Sequence, residues 1–241
     1  MSSISPSPFA NIPPVVKNLL IINVLFFIAM HVFSAGGTYP LVKYLAVYYF
    51  DSPDFRVWQV ITYMFMHSPG SFTHIMFNMF ALFSFGPSLE YTMGSKKFLN
   101  FYLITGLGAL VLQMLVQAIE VYSIAGSVTI DINSFSSSNP QNLRTLAAIY
   151  YGPMLGASGA IFGVLIAFGM LFPNAELMVF LIPVPVKAKY LIPVYIVIEL
   201  FLGVAKFSGD SIAHFAHLGG ALFGFLLIKY WGIHRRPGGY L

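Results

Sequence analysis

The chain has no cysteine and very little charge. Of its 241 residues, 12 are Lys or Arg and 8 are Asp or Glu, so charged residues make up 8% of the whole. A soluble domain carries roughly 25%. Without cysteine there is no disulfide framework, thiol nucleophile or Cys-ligated metal. Without charge there is no ordinary solvated surface. Hydrophobic residues reach 58% and the mean hydropathy is +0.80, which together define an integral membrane protein. The pI near 9.2 raises nucleic acid as a partner. The basic residues, however, are scattered between apolar runs. They read as topology signals rather than as a phosphate-binding patch, so no nucleic-acid partner is expected.

Residues 1–14 form a short polar tail containing Pro6, Pro8, Pro13, Pro14 and four serines. Residues 15–33 are the first spanning candidate. They resemble the apolar region of a signal peptide, but five further candidates downstream favour an uncleaved anchor. Residues 36–70 are apolar yet broken by Pro40, Asp51, Pro53, Asp54 and Arg56. Their best run, 57–66, is too short to span and fits an interfacial or re-entrant element. Residues 71–91, 98–119, 156–172, 190–205 and 212–231 complete six predicted helices. The polar stretch 120–142, within a long loop 120–155, separates the third from the fourth. Residues 233–241 are a second tail. The expected class is an all-α membrane bundle of six transmembrane helices over residues 15–232.

Basic residues orient the bundle. With both termini inside, the inner side holds Lys17, Lys96, Lys97, Lys187, Lys189, Lys229, Arg235 and Arg236, and the outer side holds Lys43, Arg56, Arg144 and Lys206. Predicted helices two, four and six then enter from the outer face. His74 and Asn78, four apart, share a face near the outer end of helix two. Ser158 lies near the outer end of helix four. His217 lies about 8 Å below the outer end of helix six. Four polar side chains from three helices thus fall at one depth, where polar residues face the bundle interior or a watery cavity.

Gly159-x-x-x-Gly163 and Gly220-x-x-x-Gly224 are close-approach motifs. Drawn together, their helices would bring Ser158 within hydrogen-bond reach of His217, a serine and the base it needs to become a nucleophile. His74, Asn78 and the Ser158 backbone N–H are candidate donors to an oxyanion. Each residue alone has a plainer reading as helix packing or an interhelical hydrogen bond. His214, three residues before His217, is expected to play at most a supporting part. Glu90, about 18 Å below Asn78, is expected to be a hydrogen-bonding brace.

Three motifs in order carry a family resemblance. They are His74-Ile75-Met76-Phe77-Asn78, Gly156-Ala157-Ser158-Gly159, and Ala216-His217-Leu218-Gly219-Gly220-Ala221-Leu222-Phe223-Gly224. With them the chain resembles the rhomboid family of intramembrane serine proteases across roughly residues 15–232. The resemblance implies peptide-bond cleavage in transmembrane protein substrates within the lipid bilayer. It implies a Ser158 nucleophile and a His217 general base, without an aspartate, metal or cofactor. It further implies oxyanion donors at His74 and Asn78, support from Gly156, Gly159, Gly220 and Gly224, and Phe162 packed on the catalytic imidazole. Trp58-Gln59 stands where many members have Trp-Arg, which removes one loop-anchoring ion interaction.

Other chemistries fit less well. No His-Glu-x-x-His occurs for a zinc protease. Asp51, Asp54, Asp131 and Asp210 all fall in predicted loops, which disfavours an aspartyl enzyme. Glu199, on the predicted helix containing Pro193, is the one charged candidate for a transporter's midplane site. The rival from another class is an inactive rhomboid-like protein that binds membrane segments, although such a protein is expected to lack the serine or the histidine. The compact core suggests a bacterial-type plasma membrane, with both termini inside and the site opening outward.

Overall fold

The computed structural model describes residues 12–34, 36–179, 182–205 and 214–234. Most of the 1–14 and 233–241 tails, together with Lys206, Asp210, Arg235 and Arg236, lie outside these residues. The chain order begins α1 (Pro14–Val32), α2 (Pro40–Leu45) and α3 (Gln59–Thr62), the last running into a 3-10 turn (Tyr63–Phe65). There follow α4 (Phe72–Met93), α5 (Ser95–Ala125), α6 (Pro140–Tyr151) and α7 (Ser158–Leu171). An antiparallel hairpin of β1 (Glu176–Val179) and β2 (Ile182–Lys187) then leads into α8 (Ala188–Ala205) and α9 (His214–Tyr230). The hairpin qualifies the expected all-α class: the chain is mostly helical.

All six expected long helices form, as α1, α4, α5, α7, α8 and α9, with ends within two residues of those expected except for α5, which starts three residues earlier and runs six further. Their status as spans is more uneven. Among the described residues, α1, α5 and α8 are long and apolar enough to cross a membrane. Helix α7 is apolar but only 14 residues long, and α9 has 17. Helix α4 has 22 residues, but His74, Asn78, Glu90 and an internal Pro87 lower its hydropathy.

The core is apolar, as in a water-soluble domain, but the outer surface is apolar as well. Ile21, Leu25 and Ile28 of α1 and Val194, Val197, Phe201 and Val204 of α8 point outward. Asn23, Asn78, Glu90, Thr105, Glu199 and His214 point inward. Lipid tolerates the first set, whereas polar groups in hydrocarbon must find partners inside the protein. Glu90 shows how. Its carboxylate accepts the Val15 and Val16 backbone N–H groups at 3.0 and 2.8 Å and the Ser95 hydroxyl at 2.7 Å. The first N–H groups of a helix have no intrahelical acceptor. Glu90 supplies one to α1 while tying down the start of α5, which is the expected brace.

Small residues let three helices touch backbone to backbone. A Cβ placed on Gly220 would strike the Gly159 carbonyl oxygen, and one on Gly224 would meet the Gly163 Cα at 2.8 Å. The two close-approach motifs therefore face each other across α7 and α9. Helix α5 closes the third side, with Ala109 against Gly159 and Thr105 against Gly163.

A second, smaller core lies beside the bundle. It is built from Tyr49 of the first loop (residues 36–70), Val121 of α5, and Leu146, Ile149 and Tyr150 of α6. The expected loop 120–155 is thus substantially structured. Helix α5 runs on to Ala125, and α6 begins at an Asn139 cap, whose side chain accepts the Gln141 N–H, followed by Pro140. Asp51 joins the pieces by accepting the Tyr150 hydroxyl at 2.7 Å and the Ile130 N–H at 2.8 Å. Burial, and secondarily Asp51, push the Tyr49 phenol up to about 12, so it remains a donor, here to the Val128 carbonyl.

The first loop needs no ion pair at position 59. Buried Gln59 donates to the Lys43 and Asp54 carbonyls at 3.2 and 3.1 Å and accepts the Arg56 N–H at 2.9 Å. Trp58 adds a bond to the Tyr44 carbonyl at 2.9 Å.

Candidate active site

Ser158 is the first residue of α7. The strand-like strap before it is held to the first loop at two points. Val47 and Met154 exchange backbone hydrogen bonds, and the Gly156 N–H reaches the Tyr63 carbonyl at 3.0 Å. Gly156 has φ +134, a region that side-chain-bearing residues rarely adopt. A Cβ there would also meet His74 Nε2 at 3.0 Å and Ser158 Oγ at 3.6 Å. Glycine is required at Gly156 both by the backbone and by the space, and that space is bordered by the serine and by His74.

The Ser158 Oγ lies 2.8 Å from His217 Nε2. The facing glycines of α7 and α9 create this contact, since any larger residue at Gly220 would push the helices apart. Phe162, one turn along α7, stacks on the His217 ring with centroids 4.3 Å apart and planes within 7°. The imidazole is thereby confined between an aromatic face and the serine.

On the far side of the ring lies Glu199, which the sequence alone offers only as a poor candidate for a transporter's midplane site. Glu199 Oε2 lies 2.9 Å from His217 Nδ1 and 2.7 Å from His214 Nδ1. Glu199 is buried on α8, and His214 is buried at the start of α9. An ionised carboxylate can only accept, so both histidines donate from Nδ1. His217 Nε2 is left with its lone pair toward the Ser158 hydroxyl. The sequence carried one signal for this: a single acid in an otherwise apolar helix. Pairing it with the right histidine required the tertiary structure.

His74 is tautomerically defined in the same way. Its Nδ1 accepts the Ser68 N–H at 3.2 Å, so the neutral ring carries its proton on Nε2, facing the space beside Gly156. Asn78 is buried, and its amide donates to the His74 carbonyl one turn back at 2.7 Å. That bond ties Asn78 to its own helix rather than to Ser158, leaving one amide hydrogen uncommitted. The Ser158 backbone N–H, at a helix N-terminus, has no acceptor within the helix.

His67 of the first loop packs edge-on against His74, ring centroids 5.1 Å apart. It is completely buried, and neither ring nitrogen makes a hydrogen bond of ordinary geometry. Burial above all, and then the neighbouring His74, push its pKa from the ordinary 6.5 down to about 3, against a weak opposing effect of the Phe65 backbone.

Comparison with known proteins gives this geometry a context. The Rhomboid domain model matches residues 54–233. Rhomboid protein 1, mitochondrial, of Saccharomyces cerevisiae is 32% identical over 235 residues, covering 92% of this chain and 57% of that protein. Presenilin-associated rhomboid-like protein, mitochondrial, of Homo sapiens is 28% identical over 219 residues, covering 89% and 48% respectively. An uncharacterized mitochondrial rhomboid protein of Schizosaccharomyces pombe is 26% identical over 212 residues, covering 76% and 53%. The chain therefore spans about half the length of these relatives. All three are mitochondrial by name, which overturns the expected bacterial-type plasma membrane. Compactness of the core, on which that expectation rested, says nothing about which membrane a bundle occupies. A domain match running from the first loop to the end of α9, with a relative aligned over nine-tenths of the chain, makes this chain a member of the rhomboid family.

Proposed function

We propose that the chain is an intramembrane serine endopeptidase that hydrolyses peptide bonds in or next to transmembrane segments of protein substrates. It acts from a six-helix membrane domain over residues 15–232. The observation that carries this reading is the 2.8 Å contact from Ser158 Oγ to His217 Nε2 at the N-terminus of α7. Family membership supports it, since rhomboid proteins act on membrane-protein substrates within a bilayer. The names of the relatives favour a mitochondrial membrane as the site of action.

In the proposed reaction Ser158 Oγ attacks the substrate carbonyl carbon as its proton passes to His217 Nε2. The oxyanion is met by the Ser158 backbone N–H, His74 Nε2–H and the second amide hydrogen of Asn78. The proton returns to the leaving amine, and water, deprotonated by the same nitrogen, releases the acyl group. Gly156, Gly159, Gly220 and Gly224 set the spacing, and Phe162 fixes the ring plane. The substrate helix enters past α8, of which only Ala188, Ile192, Glu199 and Gly203 are buried. It unwinds locally, because a helical peptide bond is shielded from attack.

Fluorophosphonate labelling of the detergent-solubilised protein, together with cleavage of a model transmembrane substrate, tests the proposal. Wild type should be labelled and active, and Ser158→Ala and His217→Ala should lose both by on the order of 10⁴-fold or more. Normal cleavage by Ser158→Ala would refute the assignment. A folded wild type that binds the substrate helix without cutting it would instead support the inactive binding reading.

A further inference from the structure

Glu199 sits where hydrocarbon makes a carboxylate costly, on a helix whose neighbouring residues Val197, Ile198, Leu200 and Phe201 all face outward. Yet it is buried, and one of its oxygens receives both His214 Nδ1 and His217 Nδ1. The approach is built into the packing. Gly203, one turn along α8 from Glu199, lies so close to α9 that a Cβ there would meet the His214 Cβ at 3.1 Å. A side chain at Gly203 would lift the acid away from the ring. The separations of 2.7 and 2.9 Å are those of hydrogen bonds. Neighbouring ligands of a tetrahedral zinc, at bonds of about 2.0–2.1 Å, stand about 3.3 Å apart, so both separations are those of direct contact between acid and imidazole.

We infer that Glu199 is a positioning residue for the proposed hydrolysis, converting the Ser158–His217 pair into a Ser–His–Glu relay in which His214 steadies the acid. Its effect on the chemistry follows from the hydrogen-bond directions. With the Nδ1–H of His217 donated to Glu199, only Nε2 can act as base, so the unproductive tautomer is suppressed. When the serine proton reaches Nε2, the resulting imidazolium lies against a carboxylate in a water-poor interior, where such charge compensation is strong. The Nδ1 proton stays on nitrogen throughout and Glu199 takes up no proton. His214, donating to the same oxygen, keeps that oxygen aimed at the ring.

This inference rests on the protease reading, and its test separates the two. Fluorophosphonate labelling rate and substrate kcat and KM are measured for wild type, Ser158→Ala, Glu199→Gln and Glu199→Asp, with unfolding midpoints for each. Proton NMR of the same proteins follows the far-downfield imidazole N–H resonance expected of a histidine bonded to a carboxylate. The expected result is a loss in kcat and labelling of about 10²- to 10⁴-fold in Glu199→Gln, with KM changed by less than about threefold. Glu199→Asp should recover part of that loss. The unfolding midpoint should hold, and the downfield resonance should disappear in Glu199→Gln alone. Ser158-dependent labelling at the wild-type rate in Glu199→Gln would overturn the inference while leaving the protease reading intact. Equal losses in Gln and Asp variants with a lowered midpoint would also overturn it, by making Glu199 a structural brace. If wild type is neither labelled nor able to cleave the substrate, the protease reading fails on its own. The His217–Glu199 bond is then judged by the resonance, and its persistence in Glu199→Gln would overturn the relay.

Discussion

The two ends of the bundle each bury a glutamate, and the two are used differently. Glu90 accepts two backbone N–H groups and a serine hydroxyl, donors that hold their protons under all ordinary conditions. Glu199 accepts from two imidazoles, the side chains most ready to gain or lose a proton near neutral pH. Both carboxylates are compensated, so burial alone does not tell them apart. The nature of the donor does. A carboxylate ringed by fixed donors is a rivet, and one ringed by titratable donors can answer a change of protonation beside it. The Glu90 end should therefore carry stability and the Ser158 end reactivity.

The harshest way to break this division is at Gly220. In Gly220→Val the new side chain would collide with the Gly159 carbonyl. Overpacking of a tight contact costs about 1–3 kcal/mol, and more where backbone opposes it. Separating α7 from α9 should also abolish fluorophosphonate labelling. Denaturant titration in detergent alongside the labelling assay checks both. Retained labelling would mean that the glycine seam does not set the Ser–His distance.

Glu90→Ala should be milder and of one kind only. Stripping the acceptor from three donors should cost about 2–4 kcal/mol. Labelling per folded molecule should stay at the wild-type level. A parallel fall in labelling would show that the two ends are not independent.

The smallest effect is expected from His67, which concentrates acid sensitivity at the Ser158 end. Its folded pKa of about 3 lies below the ordinary 6.5, so between these values the unfolded chain binds the extra proton. The stability tied to its neutral form is present above pH 6.5 and falls as the pH drops toward 3, with about 1.4 kcal/mol lost by pH 5.5. Unfolding midpoints at pH 7.5 and 5.5 should converge in His67→Phe relative to wild type. An unchanged pH dependence would move the acid sensitivity to other groups.

Much of this architecture was legible in the sequence because a membrane simplifies the code. Long apolar runs end at glycine, proline and charge, which gave the six helices to within a few residues, the far end of α5 excepted. Glycines at intervals of four gave the α7–α9 seam, since small residues in such positions have few other uses. Family resemblance gave the stacking of Phe162. Two features escaped for physical reasons. The Ser- and Asn-rich stretch after residue 120 masked α6, whose modest apolar face acquires meaning only against Tyr49 and Val121; its Asn139-Pro140 start was the readable cue. Glu199 was visible but unpaired, because its partners lie 15 and 18 residues away on another helix. Nothing periodic links them.

Helix α5, with 31 residues, is about 46 Å long. Hydrocarbon is roughly 30 Å thick, and accommodating the whole rod within it would demand a tilt near 50°, beyond the usual 0–40°. The rod therefore overhangs, and its overhanging turns carry Val121 into the cluster with Tyr49 and Tyr150. With α5 crossing the bilayer, that cluster would lie beyond the hydrocarbon. Because the first loop fastens the same cluster to the strap before Ser158, the proposed nucleophile would be held at a set distance beneath the headgroups. Thickening the bilayer with longer acyl chains would deepen the far end of the bundle and leave the serine's distance to water nearly constant.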